Sequence, residues 1–206
     1  MSINIDAQPS PEVSARQADA LDRADMEKLQ AGQDAALNDL MERHATPLFR
    51  FLCRMVGNED DANDLAQETF VRVFKSAKSF RTKQRFSTWL FTIAANLARN
   101  HFRWRSRHPK LSLDAENPET EQSLGSTLPA NTPTPKEAVV ASERAAAVRL
   151  AVTNLPEEMH EAIVLCEWEE RSVAEAATIL ETTPKAVESR LYRARQQLRE
   201  QLKSWL

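Results

Sequence analysis

Apolar residues recur at three- and four-residue steps along most of this chain, which is the spacing of one face of a helix. From about Asp25 the series Met26, Leu29, Leu37, Leu40, Met41, Leu48, Phe51, Leu52 and Met55 predicts a first helical block, with Pro47 inside it as a kink or a helix start. Gly57-Asn58 ends that block. Asn58 is placed to cap a second helix running to about Ala77, and Glu59, Asp60 and Asp61 fall in its first turn, where the helix dipole favours negative charge. Leu65, Ala66, Thr69, Val73 and Phe74 form its apolar face. A short basic loop, Phe80 to Arg85, leads into a third helix from about Ser87 to Arg105. Leu90, Ile93, Ala94, Leu97 and Phe102 are its core positions, and Trp89 falls with them.

The periodicity stops at His108-Pro109. Between 109 and 135 the chain is rich in proline, serine, threonine, asparagine and acids, which is linker composition. Helical patterning resumes near Lys136 and breaks at Leu155-Pro156. A helix follows through Trp168. Ser172 with Glu175 has the form of a capping box for Val173 to Leu180, and after Glu181-Thr182-Thr183 Pro184 opens a last helix to about Leu202. The predicted fold is all-α: a mobile leader over 1–24, a helical domain over 25–108, a linker over 109–135 and a second helical domain over 136–206. A long polar linker predicts that the two domains pack loosely and act as a tethered pair.

Composition supports helices, since the 206 residues include only three glycines. Charge adds more. The net charge is -3, yet no acid occurs between Thr69 and Leu113, a stretch that carries eleven lysines and arginines. Phe70, Phe74, Phe80, Phe86, Trp89, Phe91, Phe102 and Trp104 are interleaved with them. Cations track phosphates and aromatic faces stack on unpaired bases, so the run is suited to a polyanion meeting one face of one domain. A solvated basic face over an aromatic core gives the same composition. Cys53 and Cys166 stand apart, without metal-ligand spacing, and read as buried thiols of a reducing compartment. There is no signal-peptide pattern and no run long enough to cross a membrane, which predicts a cytoplasmic protein without membrane insertion. Paired carboxylates, metal clusters, nucleophile constellations and phosphate-cradling glycine loops are all missing from the sequence. The expectation is a non-enzyme with no catalytic residue, metal or cofactor.

Ser172 to Arg199 has the form of a DNA-reading helix-turn-helix. Val173, Ala176, Ala177 and Leu180 face Val187, Leu191, Ala194 and Leu198, while Lys185, Glu188, Ser189, Arg190, Tyr192, Arg193 and Arg195 lie opposite. Arginine there can fork onto guanine and Glu188 can accept from a cytosine amino group.

Three stretches, in order, resemble the extracytoplasmic-function (ECF) sigma factors of the sigma-70 superfamily: Asp64 to Phe74, Phe86 to Arg103, and Leu155 to Arg195. The resemblance implies a transcription initiation factor that binds core RNA polymerase through its β′ and β subunits, directs it to promoter DNA and assists melting of the −10 element. It implies that Asp64, Gln67, Glu68 and Arg72 grip a polymerase coiled coil. Phe80, Arg81, Lys83 and Arg85 fall in the loop that captures a flipped base, and Asn96, Arg99, Asn100 and Arg103 on the helix that meets the −10 duplex edge. Lys185, Glu188, Ser189, Arg190, Tyr192, Arg193 and Arg195 fall at the −35 positions. It implies an anti-sigma factor as a further partner. The chain departs from the family pattern at Glu181 or Thr182, where many members have glycine, and at Glu188, where many have a cation. An ordinary dimeric helix-turn-helix regulator and an all-helical adaptor are the rival readings from residues alone.

Overall fold

The computed structural model describes residues 11–108 and 135–205, and every element in it is helical. The order is α1 (Pro11–Gln30), α2 (Ala36–Val56), α3 (Glu59–Ser76) with a closing 3-10 turn (Ala77–Ser79), and α4 (Phe86–Arg107). After the linker come α5 (Pro135–Thr153), α6 (Glu157–Ile163) running into a π-helical turn (Val164–Trp168), α7 (Val173–Ile179), α8 (Pro184–Gln201) and a last 3-10 turn (Lys203–Trp205). The interior of the linker and residues 1–10 lie outside the described residues.

The local signals act as their chemistry requires. The Asn58 side chain accepts from the Asp61 N–H at 2.8 Å. Ser172 and Glu175 close the capping box, and Thr183 caps α8 with Pro184 in its first turn. α2 runs unbroken through Pro47. The predicted first block is in fact two helices: Gly32, at φ 87°, turns the chain between α1 and α2 in a conformation that favours glycine.

The leader expected through residue 24 is helical from Pro11. Apolar periodicity could not reveal this, because α1 buries acids. Asp22 and Asp25 are 1% and 5% exposed. Arg43 of α2 donates Nε–H to Asp22 at 2.9 Å and Nη2–H to Asp25 at 2.6 Å, and the His44 ring lies 2.8 Å from the other Asp22 oxygen. Met26 and Leu29 complete the contact. Burial pushes the Asp25 carboxyl up, but hydrogen bonds from Lys28 and Arg43, with their charges, outweigh it and hold it below the usual aspartate value.

The expected loose packing of the two domains is also corrected. Buried apolar residues form one continuous cluster from Met26 to Ala194. α7 packs on α4, and the π-helical turn packs on α2. Arg171, from the second module, lies over the Phe91 ring of α4 with 4.4 Å to its centroid.

Replacing Arg43 with alanine leaves two buried carboxylates without their fork. The expected loss is about 2–3 kcal/mol in urea unfolding at pH 7. Because the folded-state value of Asp25 is depressed, its contribution is present above about pH 4 and is lost as pH falls through the folded value. The gap between wild type and Arg43→Ala should therefore narrow in acid.

Candidate nucleic-acid interface

Four surfaces carry the predicted residues. The first is a ridge on α3. Asp64, Gln67 and Arg72 are exposed, and Arg72 reaches back to Glu68 at 2.8 Å. Sequence periodicity placed Phe74 in the core, yet it is 44% exposed, and Val71 is 42% exposed on the same side. The ridge therefore combines polar groups with two uncovered apolar side chains, a mixture suited to a protein partner. The apolar half of it escaped the sequence reading because α3 has more apolar residues than it buries.

The second is a cleft of about 730 Å³ beside the loop between the Ala77–Ser79 turn and α4, lined by Gln30, Lys78, Phe80, Arg81, Thr82 and Lys83. Arg81 and Lys83 are exposed. Phe80 is not an open stacking face: it is 5% exposed and packs against Trp89 and Phe86, with ring centroids 5.0 and 6.2 Å away. It forms the cleft's apolar footing, and Trp89 sits with it against the core, as its register suggested.

The third is the outer face of α4. Asn100 and Arg103 are exposed. Asn96 and Arg99 are not free, because acids of the second module hold them. Arg99 donates Nε–H to Glu161 at 2.7 Å and Nη1–H to Asn96 at 2.8 Å, and Asn96 donates to Glu181 at 3.1 Å. Arg85 is shared between Asp19 of α1 at 2.7 Å and Glu175 of α7 at 2.8 Å. Arg54 of α2 pairs with Glu169. Burial raises the carboxyls of Glu161 and Glu169 despite these arginines, and it lowers the His160 imidazole against a bond to the Arg54 carbonyl. A cleft of about 300 Å³ persists in the seam, lined by residues including Arg54, Phe102, Leu155 and His160.

The fourth is α8. Lys185, Glu188, Ser189, Tyr192 and Arg193 are all exposed, with Tyr192 at 65%. Their spacing puts them along one side of the helix. Arg190 does not join them: its side chain is 15% exposed and pairs with Glu158. Arg195 lies at the margin, paired with Glu167 at 2.5 Å. The turn before α8 is tight although it lacks glycine. Glu181 takes φ 52°, and the Thr182 N–H reaches the Ala177 carbonyl at 2.9 Å.

The two modules correspond to two known ones. Residues 40–108 match the model of sigma-70 region 2, and residues 145–198 match that of sigma-70 region 4. The chain is 33% identical over 179 residues to the ECF RNA polymerase sigma factor SigW of Bacillus subtilis, covering 86% of this chain and 95% of that one. It is 34% identical over 181 residues to the ECF RNA polymerase sigma-E factor of Haemophilus influenzae, covering 86% and 93%. The chain belongs to the ECF RNA polymerase sigma factors.

Among solved structures, this sigma factor resembles CnrH in its complex with the cytosolic domain of CnrY, at TM-score 0.64 and 26% identity over 89% of this chain and 98% of that one. It also resembles RpoE in complex with the anti-sigma factor NepR from Bartonella quintana, at TM-score 0.59 and 25% identity over 81% and 96%. The region 2 match takes in most of α2 and all of α3 and α4, and α1 precedes it.

Converting Glu161 and Glu169 to alanine together would strand Arg99 and Arg54 in the seam. Losing the Glu161 partner alone is expected to cost the closed arrangement about 3 kcal/mol. Small-angle scattering should then show one compact body for the wild type and a larger radius of gyration for the double variant.

Proposed function

We propose that this sigma factor binds core RNA polymerase through the α3 ridge of Asp64, Gln67, Glu68, Val71 and Arg72, and recognises the −10 element with the loop cleft and α4. On this reading α8 contacts the −35 element through Lys185, Glu188, Ser189, Tyr192 and Arg193. One observation carries the proposal: in a chain of net negative charge, a cation-lined cleft adjoins an exposed helix face in one module, and a helix-turn-helix with an open outer face stands in the other. Base flipping costs a few kcal/mol of stacking, and a cleft flanked by cations over the apolar footing of Phe80 can return part of it. The sigma factor supplies recognition, and bond-making chemistry stays with the polymerase.

The seam between the modules supports a two-state reading. In the closed form Arg85, Asn96 and Arg99 bond to carboxylates of the second module, so that part of the −10 surface is occupied until the modules part, while Arg81, Lys83, Asn100 and Arg103 stay exposed. The outer face of α8 is open in the same form. Promoter recognition in two parts then belongs to the holoenzyme, where the polymerase holds the modules apart. Two proteins of this fold were solved with CnrY and NepR, the latter an anti-sigma factor, and we read this chain as having an anti-sigma partner of its own. The site of action is where polymerase and promoter meet, in the cytoplasm.

The test is run-off transcription with bacterial core polymerase on a promoter library. Asn100 and Arg103 are the residues to change, because Arg99→Ala would also strand Glu161 inside the seam. Alanine at both should lower promoter-specific transcripts by about tenfold or more. Unchanged transcripts would remove Asn100 and Arg103 from the −10 surface, and no transcript from the wild type together with tight duplex binding by the chain alone would replace this reading with that of an ordinary helix-turn-helix regulator.

A further inference from the structure

Gln30 ends α1, ahead of the region 2 match, yet it helps build the loop cleft. Its Nε2 donates to the Ala77 carbonyl at 2.9 Å and to the Phe80 carbonyl at 3.0 Å. A primary amide has two N–H groups and one acceptor oxygen, and carbonyls only accept. Both hydrogens are therefore committed to the loop, and this fixes which way round the amide sits. Oε1 is left as an acceptor without a hydrogen-bond partner among the described residues.

The other side chains around the cleft differ in kind. Lys78, Arg81 and Lys83 only donate, Phe80 is apolar, and the Thr82 hydroxyl can do either. The Gln30 oxygen is thus the one side-chain group there that accepts and cannot donate. A captured base is read by hydrogen bonds on its Watson–Crick edge. Cytosine and adenine carry an exocyclic amino donor where thymine and guanine carry a keto oxygen, and a keto oxygen would set acceptor against acceptor.

We propose that Gln30 is a specificity-determining residue of the −10 cleft: its NH2 group holds the loop through Ala77 and Phe80, and its oxygen selects a base with an amino group at C4 or C6 (cytosine or adenine) over one with a keto oxygen there (thymine or guanine). This rests on the reading of the cleft as base-receiving. α1 then does more than cover the core, since it brings to the cleft a hydrogen-bonding polarity that the acid-free loop lacks.

The experiment is transcription by holoenzyme on promoters randomised across the −10 element, comparing wild type with Gln30→Lys. Lysine can still donate to both carbonyls but removes the acceptor. Wild type should favour amino over keto bases about fivefold at one −10 position, the worth of one hydrogen bond. Gln30→Lys should abolish or invert that preference and leave the neighbouring positions as they were. Retention of the wild-type preference in Gln30→Lys would overturn the proposal and reduce Gln30 to a loop support. If thermal melting shows that Gln30→Lys does not fold, Gln30→Met decides. It fills similar space with neither donor nor acceptor, so the amino preference should vanish, and a preference that persists would sink the idea. A separate control is the Arg81→Ala, Lys83→Ala double variant. An unchanged −10 profile there would mean that the cleft receives no base, overturning the parent reading and this inference together. A profile altered there but not in Gln30→Lys would overturn the inference alone.

Discussion

A carboxylate taken out of water must meet a cation, and this protein is assembled around four that do. Asp22 and Asp25 meet Arg43, Glu161 meets Arg99, and Glu169 meets Arg54. An unpaired charge in any of these places would be prohibitive, so each pair dictates which helix lies on which. The first two fix α1 on α2. The other two fix the second module on the first. Apolar burial supplies most of the driving force, but it is non-directional, and the ion pairs choose among the ways of achieving it.

The two sets of pairs are not equivalent. Asp25 is held below its usual value, so attraction from Lys28 and Arg43 exceeds the cost of burying it. Glu161 and Glu169 are pushed above theirs, so the cost of burial exceeds what Arg99 and Arg54 return. One terminal nitrogen of Arg99 is also buried without a partner among the described residues. The α1 contact is thus favourable to the ions that make it, whereas the seam between modules orients the ions without rewarding them. Under the proposed function a phosphate backbone would offer Arg85 and Arg99 an alternative set of anions, and the seam is where the ion pairs return least to the closed arrangement.

The same acids explain an asymmetry between the two surfaces proposed to meet DNA. Glu161, Glu175 and Glu181 belong to the second module, and they occupy cations and an amide of the first. Among the described residues nothing comparable covers Lys185, Ser189, Tyr192 or Arg193 on α8. Glu181 adopts a left-handed backbone, which a glycine would accept more cheaply, by about 1 kcal/mol or more. In that place its side chain reaches Asn96. Glutamate in place of glycine thus still takes the left-handed conformation, and it ties the turn to α4.

Helices, caps, the linker and the helix-turn-helix were legible in the sequence because each depends on neighbours three or four residues apart. The Asn58 cap, the Ser172–Glu175 box and the α7–α8 core all follow from such spacing. So did the cation-rich loop and the α8 face, since charge segregation is visible along a chain. What depended on distant partners was not legible. The helix from Pro11 to Gln30 carries acids where a periodic reading expects apolar residues, and only Arg43 makes their burial tolerable. Phe74 and Arg190 sit at helical positions whose burial was decided by which neighbours arrived, leaving one uncovered and turning the other toward Glu158. The closed seam required a long polar linker to be overruled by a shared core and by carboxylates from α6, its π-helical turn and α7. The sequence determined that there are two helical modules and which residues are charged; the tertiary structure alone decided which charges face each other, because an electrostatic contact depends on distance in space and not along the chain.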